Sequence, residues 1–245
     1  MMHALTGERL LTAWEAGTLL PELKRPLALL HHAGSPAAAS GGEAADLARL
    51  SALPVAARDL ALLRLRELTF GPALGVFSAC PACGERLEFT LDAAELAASL
   101  EAAATAGPAE WVEDGRHYQL RPATTDDLLA TLGVPDPDAA GELLLARCLH
   151  CPDDLPAGYP ASAVKRFEEL HADAEIRCSV DCPACGARHL HDLDIARFLW
   201  REVAAAASRL LVDVHLLATA YGWREQDILA LSERRRAAYL ELAGP

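Results

Sequence analysis

The pentapeptide Cys-Pro-Ala-Cys-Gly occurs twice, at Cys80–Gly84 and at Cys182–Gly186, and it restricts the fold more than any other feature of the chain. In such a knuckle the first thiolate stands at the end of a strand and the chain folds back through two residues. The glycine then relieves the crowding after the second thiolate. Two knuckles supply four sulfurs, those of Cys80, Cys83, Cys182 and Cys185, enough for one tetrahedral zinc site with no open position. A closed all-thiolate site is structural, because catalytic zinc keeps a coordination position for water or substrate.

The two pairs are separated by 98 residues. Closing a loop of that length costs about 4 to 5 kcal/mol, against roughly 10 to 16 kcal/mol from a structural zinc whose ligands fold around it. The metal outweighs the loop, so residues 92–174 can form a subdomain inserted into a split zinc ribbon. Alternation of polar and apolar residues marks strands beside both knuckles, over Arg86–Leu91, through Ile176, Cys178 and Val180, and over His189–Asp194.

The rest of the chain reads as helix. Aromatic residues are only 5% of it while alanine is abundant, which favours helices packed through Leu and Ala. Two short helices are expected within residues 7–32, and others over Val55–Thr69, Asp92–Ala104 with Asp92 as cap, Thr125–Leu132, Ala139–His150 and Ala161–Ala172. Trp111–Arg121 reads as a hairpin turning at Glu113-Asp114-Gly115. After Asp194 a long helix places Ile195, Leu199, Val203, Ala206, Leu210, Val214 and Leu217 on one stripe. Gly222 stops it, and Trp223–Leu242 divides into a helical pair at Ser232. Ala33–Gly42 reads as a flexible linker with nothing to pack.

The expected fold class is therefore mainly α with small β elements. It divides into variable N-terminal helices and linker (1–44), a helix with the first knuckle (45–91), the insertion (92–174), and the second knuckle with the C-terminal helices (175–245).

A formal net charge of −13 repels nucleic-acid backbones and points to protein partners. The N-terminus lacks a basic region followed by a continuous apolar run, and no window approaches the roughly 18 to 20 apolar residues of a membrane span, so the chain is expected to be unsecreted and unanchored. Six of the seven cysteines fall in Cys-x-x-Cys pairs, which suits metal thiolates in a reducing compartment, so the expected location is the cytoplasm.

The remaining chemistry-bearing residues read blandly. Cys148-Leu149-His150-Cys151 lies on an apolar helical stretch without a following glycine, and Cys148 reads as a small core residue. Cys178 reads as a buried thiol of a strand. His189 and His191 are near enough to the second knuckle to replace a sulfur, but four cysteines already complete the set. His31, His32 and His215 read as capping or satisfied residues, and Asp126-Asp127 and Asp153-Asp154 as helix caps. Phosphate loops, nucleophile elbows and His-Glu-x-x-His are missing from the sequence, which leaves an enzyme unsupported.

From the first knuckle onward the order of features resembles the small zinc-knuckled baseplate proteins of contractile phage tails and phage-tail-like contractile injection systems. These are grouped with T-even-phage-type baseplate hub proteins and assembly chaperones. The matching pieces are Leu53-Pro54 with the Arg58-Asp59 helix, Phe70-Gly71-Pro72, both knuckles and the Arg147-Cys148 helix. To these are added Phe198-Leu199-Trp200-Arg201-Glu202-Val203, Tyr221-Gly222-Trp223, Asp227-Ile228-Leu229-Ala230-Leu231-Ser232, Arg235-Arg236 and Tyr239-Leu240. The resemblance spans roughly residues 45–243. It implies a non-enzymatic structural or chaperone-like part in building a baseplate, with baseplate, hub or spike subunits as partners and incorporation in the particle as one outcome. Cys151 and Cys178 have no counterpart in that family.

The competing reading is a zinc ribbon that binds nucleic acid or regulates. Charge discriminates, since a DNA reader gathers Lys and Arg around its ribbon, whereas Glu85, Glu88, Asp181, Asp192 and Asp194 flank these knuckles. A partner surface is expected on residues 195–242, where Trp200, Tyr221, Trp223 and Tyr239 accompany Arg224 and Arg234 to Arg236.

Overall fold

The computed structural model describes residues 1–38, 42–151 and 159–244; Asp153, Asp154 and residues 39–41 of the expected linker lie outside them. Helix accounts for about 58% of the described residues and the strands form small sheets, so the fold is α+β with a long helix near the C-terminus. The helices are α1 (Gly7–Thr18), α2 (Arg25–His32), α3 (Glu43–Ser51), α4 (Val55–Phe70), α5 (Ala93–Ala104), α6 (Thr125–Thr131), α7 (Pro137–Cys148), α8 (Ala163–His171), α9 (Ile195–Tyr221), α10 (Glu225–Leu229) and α11 (Glu233–Ala243). The strands are β1 (Ala73–Ala79), β2 (Arg86–Asp92), β3 (Ala109–Glu113), β4 (Arg116–Leu120), β5 (Leu149–His150), β6 (Arg177–Asp181) and β7 (Arg188–Asp192). The chain divides into two compact units, Met1–Leu47 with Ala196–Pro245, and Ala48–Ile195.

The first unit is a helical assembly. Leu10, Leu11 and Ala13 of α1 and Leu27 to Leu30 of α2 are buried, and α9 adds Leu199, Val203, Ala207, Leu210 and Leu217. Ala207 replaces the expected Ala206 on this seam, because a straight helix of 3.6 residues per turn drifts from any fixed spacing. Trp200 lies on the Gly17 backbone, where an added Cβ would come within 2.4 Å of the indole, and the Arg25 guanidinium sits 5.6 Å from that ring. Trp200 is thus held by its own unit. Arg236 is held too, its Nε donating to Asp213 at 2.9 Å with 12% of the side chain exposed.

Three expectations need correcting in this unit. The linker packs at its start, where Ala33 and Ser35 are buried and Pro36–Ala38 form a 3-10 turn. The helix α3, absent from the expected set, begins soon after, and its Asp46 lies 3.1 Å from His31 Nδ1. Among the described residues α9 is long and apolar enough by composition to cross a membrane. This corrects the expectation that no window approaches a membrane span: Leu199, Val203, Ala207, Leu210 and Leu217 are buried in the unit, while Leu211, Val212 and Leu216 are exposed.

The second unit is built from hairpins and short helices. Asp92 closes the β1–β2 hairpin and caps α5, accepting from the Ala94 and Glu95 N–H groups, and α5 packs along α4. In the hairpin β3–β4, Asp114 and Gly115 both have positive φ, the geometry of a two-residue turn. The outer side of β4 pairs with β5, and this small sheet buries Trp111, Tyr118, Leu120 and Leu149 with Leu145, Cys148 and Ala163. That pairing ends α7 at Cys148, so Cys148 and Cys151 do not share one helical stretch as expected.

A buried carboxylate ties this unit together. Asp127, 1% exposed, accepts from Arg121 at 2.6 and 3.0 Å, from Arg147 Nε at 2.9 Å, and from the Thr124 N–H and hydroxyl. Burial pushes its carboxyl up, but Arg121 and Thr124 more than offset this, and it stays well below the usual carboxylate range. The expected cap role of Asp127 holds, as a capping box with Thr124. The bidentate Arg121 contact and Arg147 lie beyond what its spacing could indicate.

Candidate metal centre

Both knuckles fold by the same local rules. In the first, Cys80 N–H donates to the Glu85 carbonyl at 2.8 Å and Gly84 N–H to the Cys80 carbonyl at 2.8 Å. In the second, Cys182 N–H donates to Ala187 and Gly186 N–H to Cys182, each at 2.9 Å. Gly84 and Gly186 have φ of 77° and 71°, a conformation that a side chain would strain. The repeated pentapeptide therefore produces a repeated turn, with its first cysteine at a hairpin base and its second at the tip.

The two hairpins, β1–β2 and β6–β7, bring the turns together. Cys80 and Cys182 are 2% exposed and pack with Leu87, with Phe89 and Val180 against the same cluster. Ser78 Oγ lies 3.3 Å from His191 Nδ1, and Phe89 meets His191 edge to face at 5.6 Å. The Sγ atoms of Cys80 and Cys185 are 3.8 Å apart, those of Cys83 and Cys182 are 3.7 Å apart, and all four sulfurs lie within 4.8 Å of one another. These contacts are nonbonded, since a disulfide would place sulfurs about 2.05 Å apart, and all four cysteines are free. Cys83 and Cys185 are exposed, so one side of the group faces solvent.

The thiols do not ionise alike. The Ala82 N–H, opposed by desolvation and helped by the neighbouring sulfurs, brings Cys80 down to about 7. At Cys83 the Glu85 N–H pulls downward, but Cys185, desolvation and the other sulfurs together push it up to about 12. Four thiolates at such distances repel one another, and a divalent cation is the charge that lets them coexist. The arrangement can hold a metal ion.

Other sequence candidates stand apart from this group. His189 and His191 are not among its donors, and among the described residues no second group of three or more His, Cys, Asp or Glu converges in this way. Burial, followed by the Asp127 charge, pushes the Cys148 thiol up to about 11, and burial also raises Cys178, which makes both poor nucleophiles at neutral pH. His215 is exposed on α9.

One functional-looking histidine was missed in the sequence. His171 Nε2 accepts from the Ala123 N–H at 2.9 Å, which leaves the proton on Nδ1 to donate to the Phe167 carbonyl at 2.7 Å. Burial lowers its pKa. Only its place near the end of an amphipathic helix could have pointed to it.

No protein-family model, no curated protein and no solved structure matches this chain.

Proposed function

We propose that the chain is a non-enzymatic structural or assembly protein, stapled by one structural zinc at Cys80, Cys83, Cys182 and Cys185, that serves a contractile phage-tail-like baseplate. The observation that carries the zinc is the sulfur geometry. A regular tetrahedron with zinc–sulfur bonds of about 2.3 Å spaces its sulfurs about 3.8 Å apart, and the two cross-knuckle distances are 3.8 and 3.7 Å. An all-sulfur set of four leaves no position for substrate, which favours a scaffold over a catalyst. The baseplate role rests on the family resemblance of residues 45–243.

A nucleic-acid role fits less well. Residues 48–195, which hold both knuckles, carry twelve Lys and Arg against twenty-four Asp and Glu. Arg188, the base nearest the second knuckle, is paired with Asp181 at 2.7 Å.

Two measurements test the proposal. Elemental analysis of the purified protein should find about one zinc per chain, and a metal-free, fully folded protein would reject the staple. Affinity purification from the native host with mass spectrometry should recover baseplate, hub or spike subunits, and recovery of nucleic-acid-processing proteins instead would reject the assembly role.

A further inference from the structure

We infer that the four cysteines form a staple with two chemical states: a metal-bound one in reducing surroundings, and two disulfides across the knuckles, Cys80–Cys185 and Cys83–Cys182, under a peroxide oxidant. The inference rests on the metal-site reading above and adds the fate of the site when the cation leaves.

Three observations carry it. Two sulfur contacts, 3.8 Å for Cys80 with Cys185 and 3.7 Å for Cys83 with Cys182, each join one knuckle to the other, within a group whose four sulfurs all lie within 4.8 Å of one another. Each contact pairs an exposed cysteine with a buried one, since Cys83 and Cys185 are exposed while Cys80 and Cys182 are 2% exposed. The hairpins beneath them are already pressed together through Leu87, Phe89, Val180 and His191, so the sulfurs need not be brought from afar.

The chemistry balances with hydrogen peroxide as the oxidant. The sulfur of Cys83 or Cys185, a thiolate because a metal ligand must be deprotonated, attacks a peroxide oxygen, the O–O bond breaks, and the sulfur becomes a sulfenic acid as one water departs. The buried sulfur opposite, Cys182 or Cys80, attacks that sulfenic sulfur, and its hydroxyl leaves as a second water once protonated. Each disulfide therefore consumes two thiolates, one peroxide and two protons, and two peroxides convert the whole set with release of the cation. Exposure favours the second cysteine of each knuckle as the attacking group, and proximity favours the buried sulfur of the other knuckle as the resolving group.

The consequence is mechanical. Disulfides within a knuckle would leave the hairpins joined only by packing once the cation is gone, whereas cross-knuckle disulfides keep the chain closed across the 98 intervening residues. A protein assembled in a reducing compartment could thus retain its closure in an oxidising one.

The test uses the full chain with its metal, treated with hydrogen peroxide and read by zinc release, thiol loss and non-reducing peptide mapping. Trypsin places Cys80 and Cys83 in peptide 67–86, and Cys178, Cys182 and Cys185 in peptide 178–188. The expected product is one crosslinked species of these two peptides, with fragment ions assigning Cys80 to Cys185 and Cys83 to Cys182. One zinc should be released for about four thiols lost, and the far-ultraviolet circular dichroism should be retained. Separate peptides with internal Cys80–Cys83 and Cys182–Cys185 bonds, or sulfinic and sulfonic acids in place of disulfides, would overturn the inference. The metal content before oxidation is an independent readout: a chain that never held zinc rejects the metal reading, while the connectivity alone decides this one.

Discussion

Residues 1–47 with 196–245 carry ten Lys and Arg against eleven Asp and Glu, whereas residues 48–195 carry twelve against twenty-four. The near-neutral unit coheres through a distributed apolar seam of Leu10, Leu27, Leu30, Leu199, Val203 and Leu210. The acidic unit also buries leucines, yet where the near-neutral unit has single pairs such as Arg236–Asp213 and His31–Asp46 it gathers larger ties: Arg121 and Arg147 together on Asp127, Arg58 on Thr125, and the four converging sulfurs. Accumulated like charge works against compaction, and specific cation–anion contacts offset it locally. The contrast teaches where each unit is vulnerable. Seam packing spreads its stabilisation over many side chains, while a tie concentrates it in one.

The largest effect is expected at the sulfurs. On the proposed zinc reading, Cys185→Ser should remove the metal and unfold much of the acidic unit, because the binding energy of a structural zinc, roughly 10 to 16 kcal/mol, is also folding energy. Hydrogen exchange should show lost protection over residues 73–92 and 177–192, with the α1–α2 amides retained. Equal loss in both units would show that the contrast is false. Cys151→Ser, by comparison, should leave the metal content measured for the parent chain unchanged.

Asp127→Asn comes next. It leaves Arg121 and Arg147 without their carboxylate, and breaking a buried pair costs about 3 to 5 kcal/mol, reduced to about 2 to 3 because both arginines keep some solvent. Thermal unfolding should report it. A change below about 0.5 kcal/mol would mean that the network contributes little beyond the helix cap.

In the near-neutral unit the sharpest single test is Gly17→Ala. An added Cβ would stand 2.4 Å from the Trp200 ring, and overpacking of this kind costs about 1 to 3 kcal/mol. Trp200 fluorescence should shift as the indole is displaced. A variant as stable as the parent would show that this seam absorbs strain more readily than close packing implies.

The smallest effect is that of pH on the acidic unit. His171 has a lowered pKa in the folded chain, chiefly through burial, so the unfolded state binds more protons as pH falls through about 6.5. Its stabilisation is complete above that pH and is lost as pH falls toward the folded value, where a proton on Nε2 would oppose the Ala123 N–H. The slope of unfolding free energy between pH 7.5 and 5.5 should flatten in His171→Leu. The part due to His32, also lowered by burial and then by His31, should persist. Asp127 adds nothing in that window, because its depressed pKa confines its loss to more acid conditions.

Local signals were legible wherever a few neighbouring residues decide the outcome. The knuckle turns follow from Cys-Pro-Ala-Cys-Gly, the β3–β4 turn from Asp114-Gly115, the start of α5 from Asp92 and the end of α9 from Gly222. The four candidate ligands were legible for the same reason, as a repeated short motif. β1 was not, since Ala73, Gly75 and Ala79 give its exposed row too little polar contrast to show a period of two.

What tertiary structure alone decided depends on residues far apart in the chain. Pairing of Leu149 and His150 with Gln119 and Leu120 stops α7 short of its helical pattern, and a bond to Asp213 takes Arg236 out of the exposed arginine run. Two matching turns say that each knuckle can present two sulfurs; only the packing of the hairpins through Leu87, Phe89 and Val180 places Cys80 beside Cys185 and Cys83 beside Cys182. The motif acts over five residues, where backbone sterics and one glycine suffice. The metal-sized gap among the sulfurs spans about a hundred residues, and only burial of apolar surface between remote segments can set it.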